Sequence, residues 1–315
     1  MNTTQNTRLV PEIWSQIIKH MNEMLAAPSA AYPNTRWLSA NSLRKLLVTA
    51  RKAVGAPEST SGTKLLTSLE ACGLAKQHAF DAPKTGKAPF KIYCLDVGGE
   101  PPISPIELLT ATQPNFERSV ICYFTALAYH QLTTQTAPHH HIAQLKNYPP
   151  PEARSKETAP TPVAPPPMGT VLLCHDEIPY YVSKRDRLLV PGIQTVVMAP
   201  HFIARITTLE QTLLDTLHRP WSCGGPAVVF EAWQHAVSQI DESRLANYLE
   251  QIASPDLYRR TGYMLEQHAY TVSDPALKQS LAAAKATFAT GHTSPVPLLP
   301  HVPQQTLDQE WGLLV

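Results

Sequence analysis

Residues 39–96 carry the pattern that most restricts what this chain can fold into. In "SANSLRKLLVTARKAVG", Leu43, Leu46, Leu47, Ala50 and Val54 recur at helical spacing, with Arg44, Lys45, Arg51 and Lys52 largely off that stripe. Ser39 or Asn41 suits the N-cap, and Gly55 suits the end. A short turn, "APEST", leads to a second amphipathic helix in "SGTKLLTSLEACG", where Leu65, Leu66, Leu69 and Cys72 share the inward face. "AKQHAF" and "FKIYCL" then read as two strands joined by a turn holding Pro83 and Thr85-Gly86. Upstream, "PEIWSQIIKHMNEML" places Ile13, Ile17, Met21 and Met24 on one stripe, with Pro11 suited to a first turn. Helix, helix, short turn, helix and basic hairpin is the order of a winged helix-turn-helix.

In such a module the second helix of the motif enters the major groove. Ser59, Thr60, Ser61, Thr63, Lys64 and Thr67 would present short hydroxyls and one amine to base edges, without the Arg or Asn that makes bidentate contacts. Lys84, Lys87 and Lys91 on the hairpin, with Arg44, Lys45, Arg51 and Lys52 on the preceding helix, would neutralise phosphates. The charge distribution agrees. Residues 1–148 hold 14 Lys/Arg against 9 Asp/Glu, and residues 149–315 hold 12 against 16, so the formal charge of +1 hides a basic front and an acidic rear. Nine basic and four acidic side chains fall within residues 40–96, a local surplus that favours a polyanionic partner.

Beyond this segment the pattern changes. "SPIELLTATQP" and "VICYFTALAYHQLT" read as short helices with a strand-like "SVICYF" between them. Residues 147–168 contain eight prolines and no apolar periodicity, as expected of an extended linker or an insertion. After it, "TVLLCH", "PYYVSK", "RLLVPGIQTVVMAP" and "HFIARIT" read as strands of a mixed or antiparallel sheet, with turns at "DEIP" and "PG". Helices return from Thr207. Leu209, Leu213, Leu214 and Leu217 line one face, Val229, Phe230, Trp233 and Val237 the next, and Leu245, Tyr248, Leu249 and Ile252 a third. The expected class is α+β, with residues 1–97 forming an N-terminal extension plus winged helix and residues 98–315 a second domain.

The densest polar stretch, "RITTLEQTLLDTLHRPWSCGG" at 205–225, invites a catalytic reading, which its local chemistry disfavours. Thr207 with Glu210, or Thr208 with Gln211, makes a capping box, and His218 and Arg219 suit a helix C-terminus. Pro220 ends the helix and Gly224-Gly225 turn the chain toward Pro226. Cys223 with His218 is the one nucleophile–base pair on offer, and no catalytic signature surrounds it. Histidines 139–141 lack an acidic or Cys partner at ligand spacing and read as a polar loop, so no metal or cofactor is expected. Five dispersed cysteines form no C-x-x-C pair and fit reduced thiols. The N-terminus lacks a signal-peptide apolar region, and no run nears the ~18 apolar residues needed to cross a bilayer. A cytoplasmic, non-membrane protein is expected.

Four stretches together resemble the AbiEi family of antitoxins and transcriptional regulators from type IV toxin–antitoxin (abortive infection) systems. They are "SPIELLTATQP" with "TALAYHQLT", "YYVSKRDRLLVPGIQ", "RITTLEQTLLDTLHRPWSCGG" and "YRRTGYMLEQ". Arg205, Thr208, Glu210, Asp215, Gly224 and Gly225 carry the most specific element. The resemblance implies a non-enzymatic repressor whose winged helix binds double-stranded operator DNA, often repeats upstream of its own operon. It also implies a C-terminal antitoxin domain that counters a nucleotidyltransferase toxin without a stable complex. The alternatives are a stand-alone DNA-binding regulator of a phage-defence cluster and, from a different class, a Cys/His-dependent enzyme. The first 38 residues and the proline-rich insertion depart from the family pattern.

Overall fold

A computed structural model describes residues 11–81, 89–95, 102–113, 115–148, 168–289 and 294–315. The turn carrying Lys84 and Lys87, and residues 149–167 of the proline-rich stretch, lie outside the described residues. The fold is α+β, divided into two compact units: Met1–Phe116 with Val197–Ala204, and Glu117–Val196 with Arg205–Val315.

The first unit begins with α1 (Pro11–Met24), β1 (Trp37–Ser39), α2 (Ala40–Ala53) and α3 (Gly62–Ala71). It continues with β2 (Lys76–Phe80), β3 (Phe90–Cys94) and α4 (Pro105–Ala111). The apolar stripes meet as their periodicity requires: Leu43, Leu46, Leu47 and Ala50 of α2 pack with Leu65, Leu66 and Leu69 of α3. Each leucine fully withdrawn from water contributes roughly 1.5–3 kcal/mol of transfer free energy. Residues 1–38 are more than an extension, because Ile17 and Met21 of α1 enter the same core and β1 joins the sheet. That sheet is antiparallel throughout, in the order β1-β3-β2, with Trp37 opposite Cys94 and Lys76 opposite the same Cys94 on the other side. Cys72, expected to face inward, is exposed at the C-cap of α3, where the helix ends and its stripe no longer meets the core.

Ser39 caps α2 by accepting from the Ser42 amide, and Ser61 caps α3 by accepting from Lys64. Close approach fixes Gly62 at the start of α3: a Cβ there would sit 3.0 Å from Val48 Cγ2 and 3.4 Å from the Arg44 carbonyl oxygen. The two helices are therefore locked tightly at their crossing.

After α4 come β4 (Ser119–Ile121), α5 (Tyr123–Tyr129) and β5 (His140–Lys146), then β6 (Thr170–His175), β7 (Ile178–Asp186), β8 (Ile193–Ala199) and β9 (Phe202–Thr207), all in the second unit except Val197–Ala204 of β8 and β9. The strands form one six-stranded mixed sheet in the order β6-β7-β5-β4-β9-β8. The pairs β5–β7 and β4–β9 are parallel, whereas β4–β5 and β6–β7 are antiparallel. The "DEIP" turn is a two-residue hairpin with Asp176 and Glu177 at φ 50° and 63°, the left-handed pair that matches strand twist. Arg187–Leu189, expected to be extended, instead form a 3-10 turn whose first free amide is taken by Asp186.

The expected polar loop at 139–141 is overturned. His139, His140 and His141 are buried, and the last two open the interior strand β5, paired on both sides. Burial depresses His140 to about 4 and His141 to about 3, so both enter the core as neutral rings. His139 Nε2 donates to the Ser222 carbonyl at 2.9 Å.

Helices α6 (Leu209–His218), α7 (Pro226–Ala236), α8 (Glu242–Ile252), α9 (Pro255–Gln267) and α10 (Pro275–Ala289) complete the core. On α7 the buried face is Val228, Val229, Ala232, Trp233 and Ala236, one step round from the expected stripe, leaving Phe230 39% exposed. Short strands β10 (Val296–Pro297), β11 (Leu307–Asp308) and β12 (Leu313–Leu314) make a small sheet held to α9 by Arg260, which donates to the Pro297 carbonyl at 2.9 Å. Among the described residues no helix is long and apolar enough to cross a membrane, and no His/Cys/Asp/Glu group is arranged to hold a metal.

Candidate nucleic-acid interface

The outward surface of α2, α3 and the β1-β3-β2 sheet holds most of the side chains that the sequence pattern assigns to DNA. Lys45, Lys52, Ser59, Ser61, Thr63, Lys64, Thr67 and Lys91 are exposed, and Arg44 is half-buried with Nη1 3.4 Å from Asn41 Oδ1. Lys76 on β2 is exposed as well, although nothing in the sequence pattern singled it out. Its signal was a strand register that places it opposite Cys94 at the end of the hairpin.

Two of the assigned residues point elsewhere. Arg51 is 6% exposed, and its Nη1 donates to the Glu58 and Thr60 carbonyls at 3.0 and 2.9 Å. The guanidinium thus closes the α2–α3 turn from inside and offers no charge to a ligand. Thr60 is buried at the same turn. Two more have partly committed side chains. The Ser61 hydroxyl is taken by the helix cap, and the Thr67 hydroxyl donates back to the Thr63 carbonyl at 3.1 Å. Thr63, Lys64 and Ser59 remain the outward polar groups of the α3 entry. At the sheet, Trp37 and His78 meet edge to face at 4.9 Å, and burial with the neighbouring Lys76 keeps His78 below the usual imidazole range.

In the second unit, the 205–225 stretch is built into the interior. Thr208 is the N-cap of α6 and accepts from Gln211 at 3.4 Å, but the reciprocal half of a capping box is absent there. Gln211 instead spans the interior, donating to Asp215 and to the Leu189 carbonyl while accepting from the Gly192 amide. Asp215 receives both Arg185 nitrogens, at 2.6 and 2.7 Å, in a two-pronged pair. Glu210, 1% exposed, accepts from the Asp241 amide at 3.1 Å and Arg244 at 3.2 Å. Gly224 and Gly225 adopt φ 97° and 93°, a turn that side-chain-bearing residues resist. Arg205 donates to the Glu117 carbonyl.

Chemistry at Cys223 is disfavoured by its surroundings. The thiol is fully buried, and desolvation with nearby Asp215 pushes it well above the ordinary range. Cys122 beside it is pushed up to about 12 by burial. Neither sulfur has access to the thiolate that a nucleophile requires. Tyr123, held at φ 56°, places its ring 4.9 Å from the Arg185 guanidinium carbon and 4.8 Å from the His141 ring, so this cluster packs as a charged interior.

No family model and no curated protein matches this chain. Among solved structures it is similar in fold to the Rv2827c protein from Mycobacterium tuberculosis, with a TM-score of 0.52 and 15% sequence identity. The similarity covers 97% of this chain and 92% of that one, so the likeness extends over both units and concerns the fold alone.

Proposed function

We propose that this protein is a DNA-binding transcriptional repressor whose first unit is a winged helix-turn-helix. One observation carries the reading: α3 stands on α2 through a turn clamped by Arg51 and is followed at once by the β2–β3 hairpin. Lys45, Lys52, Lys64, Lys76 and Lys91 are exposed on this unit. In this arrangement Thr63 and Lys64 at the start of α3 reach base edges, and lysines of α2 and the hairpin reach phosphates. The test is binding to duplex DNA from upstream of its own gene, with a scrambled duplex as control, for wild type and the Lys52→Ala/Lys91→Ala double variant of two exposed, phosphate-facing lysines. The variant weakens binding and lowers the slope of log affinity against log salt by about 1.8, since each phosphate contact contributes about 0.9. An unchanged slope and affinity would remove the assignment.

The AbiEi resemblance extends the proposal to an antitoxin role for the second unit, opposing a nucleotidyltransferase toxin in the cytoplasm. Co-expression with a nucleotidyltransferase encoded beside it tests that role, rescue of growth being the expected result. The interior placement of Glu210, Asp215 and Cys223 supports a scaffold over an enzyme, and Cys223→Ala is expected to leave both roles intact.

A further inference from the structure

The second unit contains a basic cleft that the charge balance of the sequence conceals. Arg118 and Lys146 from the basic front of the sequence, and Arg187 and Arg205 from the net acidic residues 149–315, line one cleft of roughly 690 Å³ in which Glu117 is the single carboxylate. Strand register gathers them. Glu117 and Arg118 enter β4, Lys146 ends the antiparallel β5, and Arg187 follows the end of β7, which runs parallel to β5. Arg205 comes from β9, on the other side of β4. Four cations separated by up to 87 positions in sequence thus share one end of a sheet.

The strand framework holds these side chains in place. Arg205 is anchored by donation to the Glu117 carbonyl, and the Leu145 amide bonds the Arg118 carbonyl at 2.7 Å. Asp186, opposite Lys146 in register, is buried, with Oδ1 accepting from the Leu188 amide. Among the described residues, Lys146 and Arg187 take no carboxylate partner. Desolvation, and after it the nearby Arg187, push Arg205 below its usual range, with Glu117 opposing the shift. The cleft lining is mostly polar, so an apolar ligand gains little there.

From this geometry we infer that the cleft is a binding site for a multiply charged phosphate. Two or more guanidinium forks and an ammonium match the tetrahedral, multiply charged oxygens of phosphate better than one carboxylate. The volume accommodates a nucleotide-sized group. The same chemistry is offered by a free polyphosphate or nucleotide and by the backbone of a nucleic acid. The inference does not rest on the DNA reading of the first unit, because the residues and the variants are different.

The experiment compares wild type with Lys146→Ala/Arg187→Ala, two side chains exposed to solvent, and with Lys278→Ala as an exposed control. Inorganic tripolyphosphate binding is measured by calorimetry and duplex binding across a salt series, with thermal unfolding to verify folding. The double variant is expected to lose at least about tenfold in affinity on one arm, as removal of charge-assisted contacts requires. Loss on the tripolyphosphate arm alone identifies a free polyphosphate. Loss on the duplex arm, with the salt slope reduced by about 1.8, identifies a backbone. Affinities within twofold of wild type on both arms, or no wild-type binding to either probe, would overturn the site.

Discussion

The two units handle charge in opposite ways. In the first, Lys45, Lys52, Lys64, Lys76 and Lys91 stand in solvent, and Arg51 is the basic side chain turned inward. In the second, Arg185, Glu210, Asp215 and Arg259 are buried, each paired with an opposite charge. A charge taken from water must recover its hydration from fixed partners, so interior charges are committed to structure. Exposed charges keep their hydration and can exchange it for phosphate. Burial, rather than residue type, separates the structural charges from those available to a ligand.

The sharpest way to break that contrast is Asp215→Ala. It leaves Arg185 buried without its two-pronged partner and is expected to cost about 3–5 kcal/mol, read by chemical unfolding. A cost under about 1 kcal/mol would mean that the pair is not buried as described. Acidification is the next largest effect. His140 and His141 have folded-state values depressed to about 4 and about 3, from 6.5. The unfolded chain therefore binds protons first, and stability present above about pH 6.5 is lost as pH falls toward the depressed values. At pH 5 each ring accounts for about 2 kcal/mol. The pH dependence of unfolding should flatten in His141→Gln, and a profile as steep as wild type would argue against a neutral buried ring. Arg51→Ala removes the donor that closes the α2–α3 turn, costs about 1–3 kcal/mol, and weakens DNA binding through misplacement of α3. Thr208→Ala, which strips the cap of α6, is the smallest at about 1 kcal/mol, with no effect on DNA.

Much of the first unit was legible in sequence because its helices are amphipathic. Leu43, Leu46, Leu47, Leu65 and Leu69 were placed inward by period alone, and all are fully buried. The hairpin strands were legible from β-rich runs on either side of a Pro/Gly-containing turn. The direction of Arg51 was not, since helical period allows a residue at the stripe's edge to go either way, and here three carbonyls decided it. In the second unit, polar composition hid the strand at His140–Lys146, because neutral imidazole can be buried at a cost that no window of residue types reveals. The basic cleft was invisible for another reason. Arg118, Lys146, Arg187 and Arg205 become neighbours only through the parallel and antiparallel pairing of strands distant in sequence.

The most direct test of the central claim is a salt titration of duplex binding, using DNA from upstream of the gene and a scrambled control. The expected result is preference for the native duplex, log affinity falling linearly with log salt, and a slope reduced by about 1.8 in Lys52→Ala/Lys91→Ala. Equal binding to both duplexes, with a slope that the double variant leaves unchanged, would contradict it.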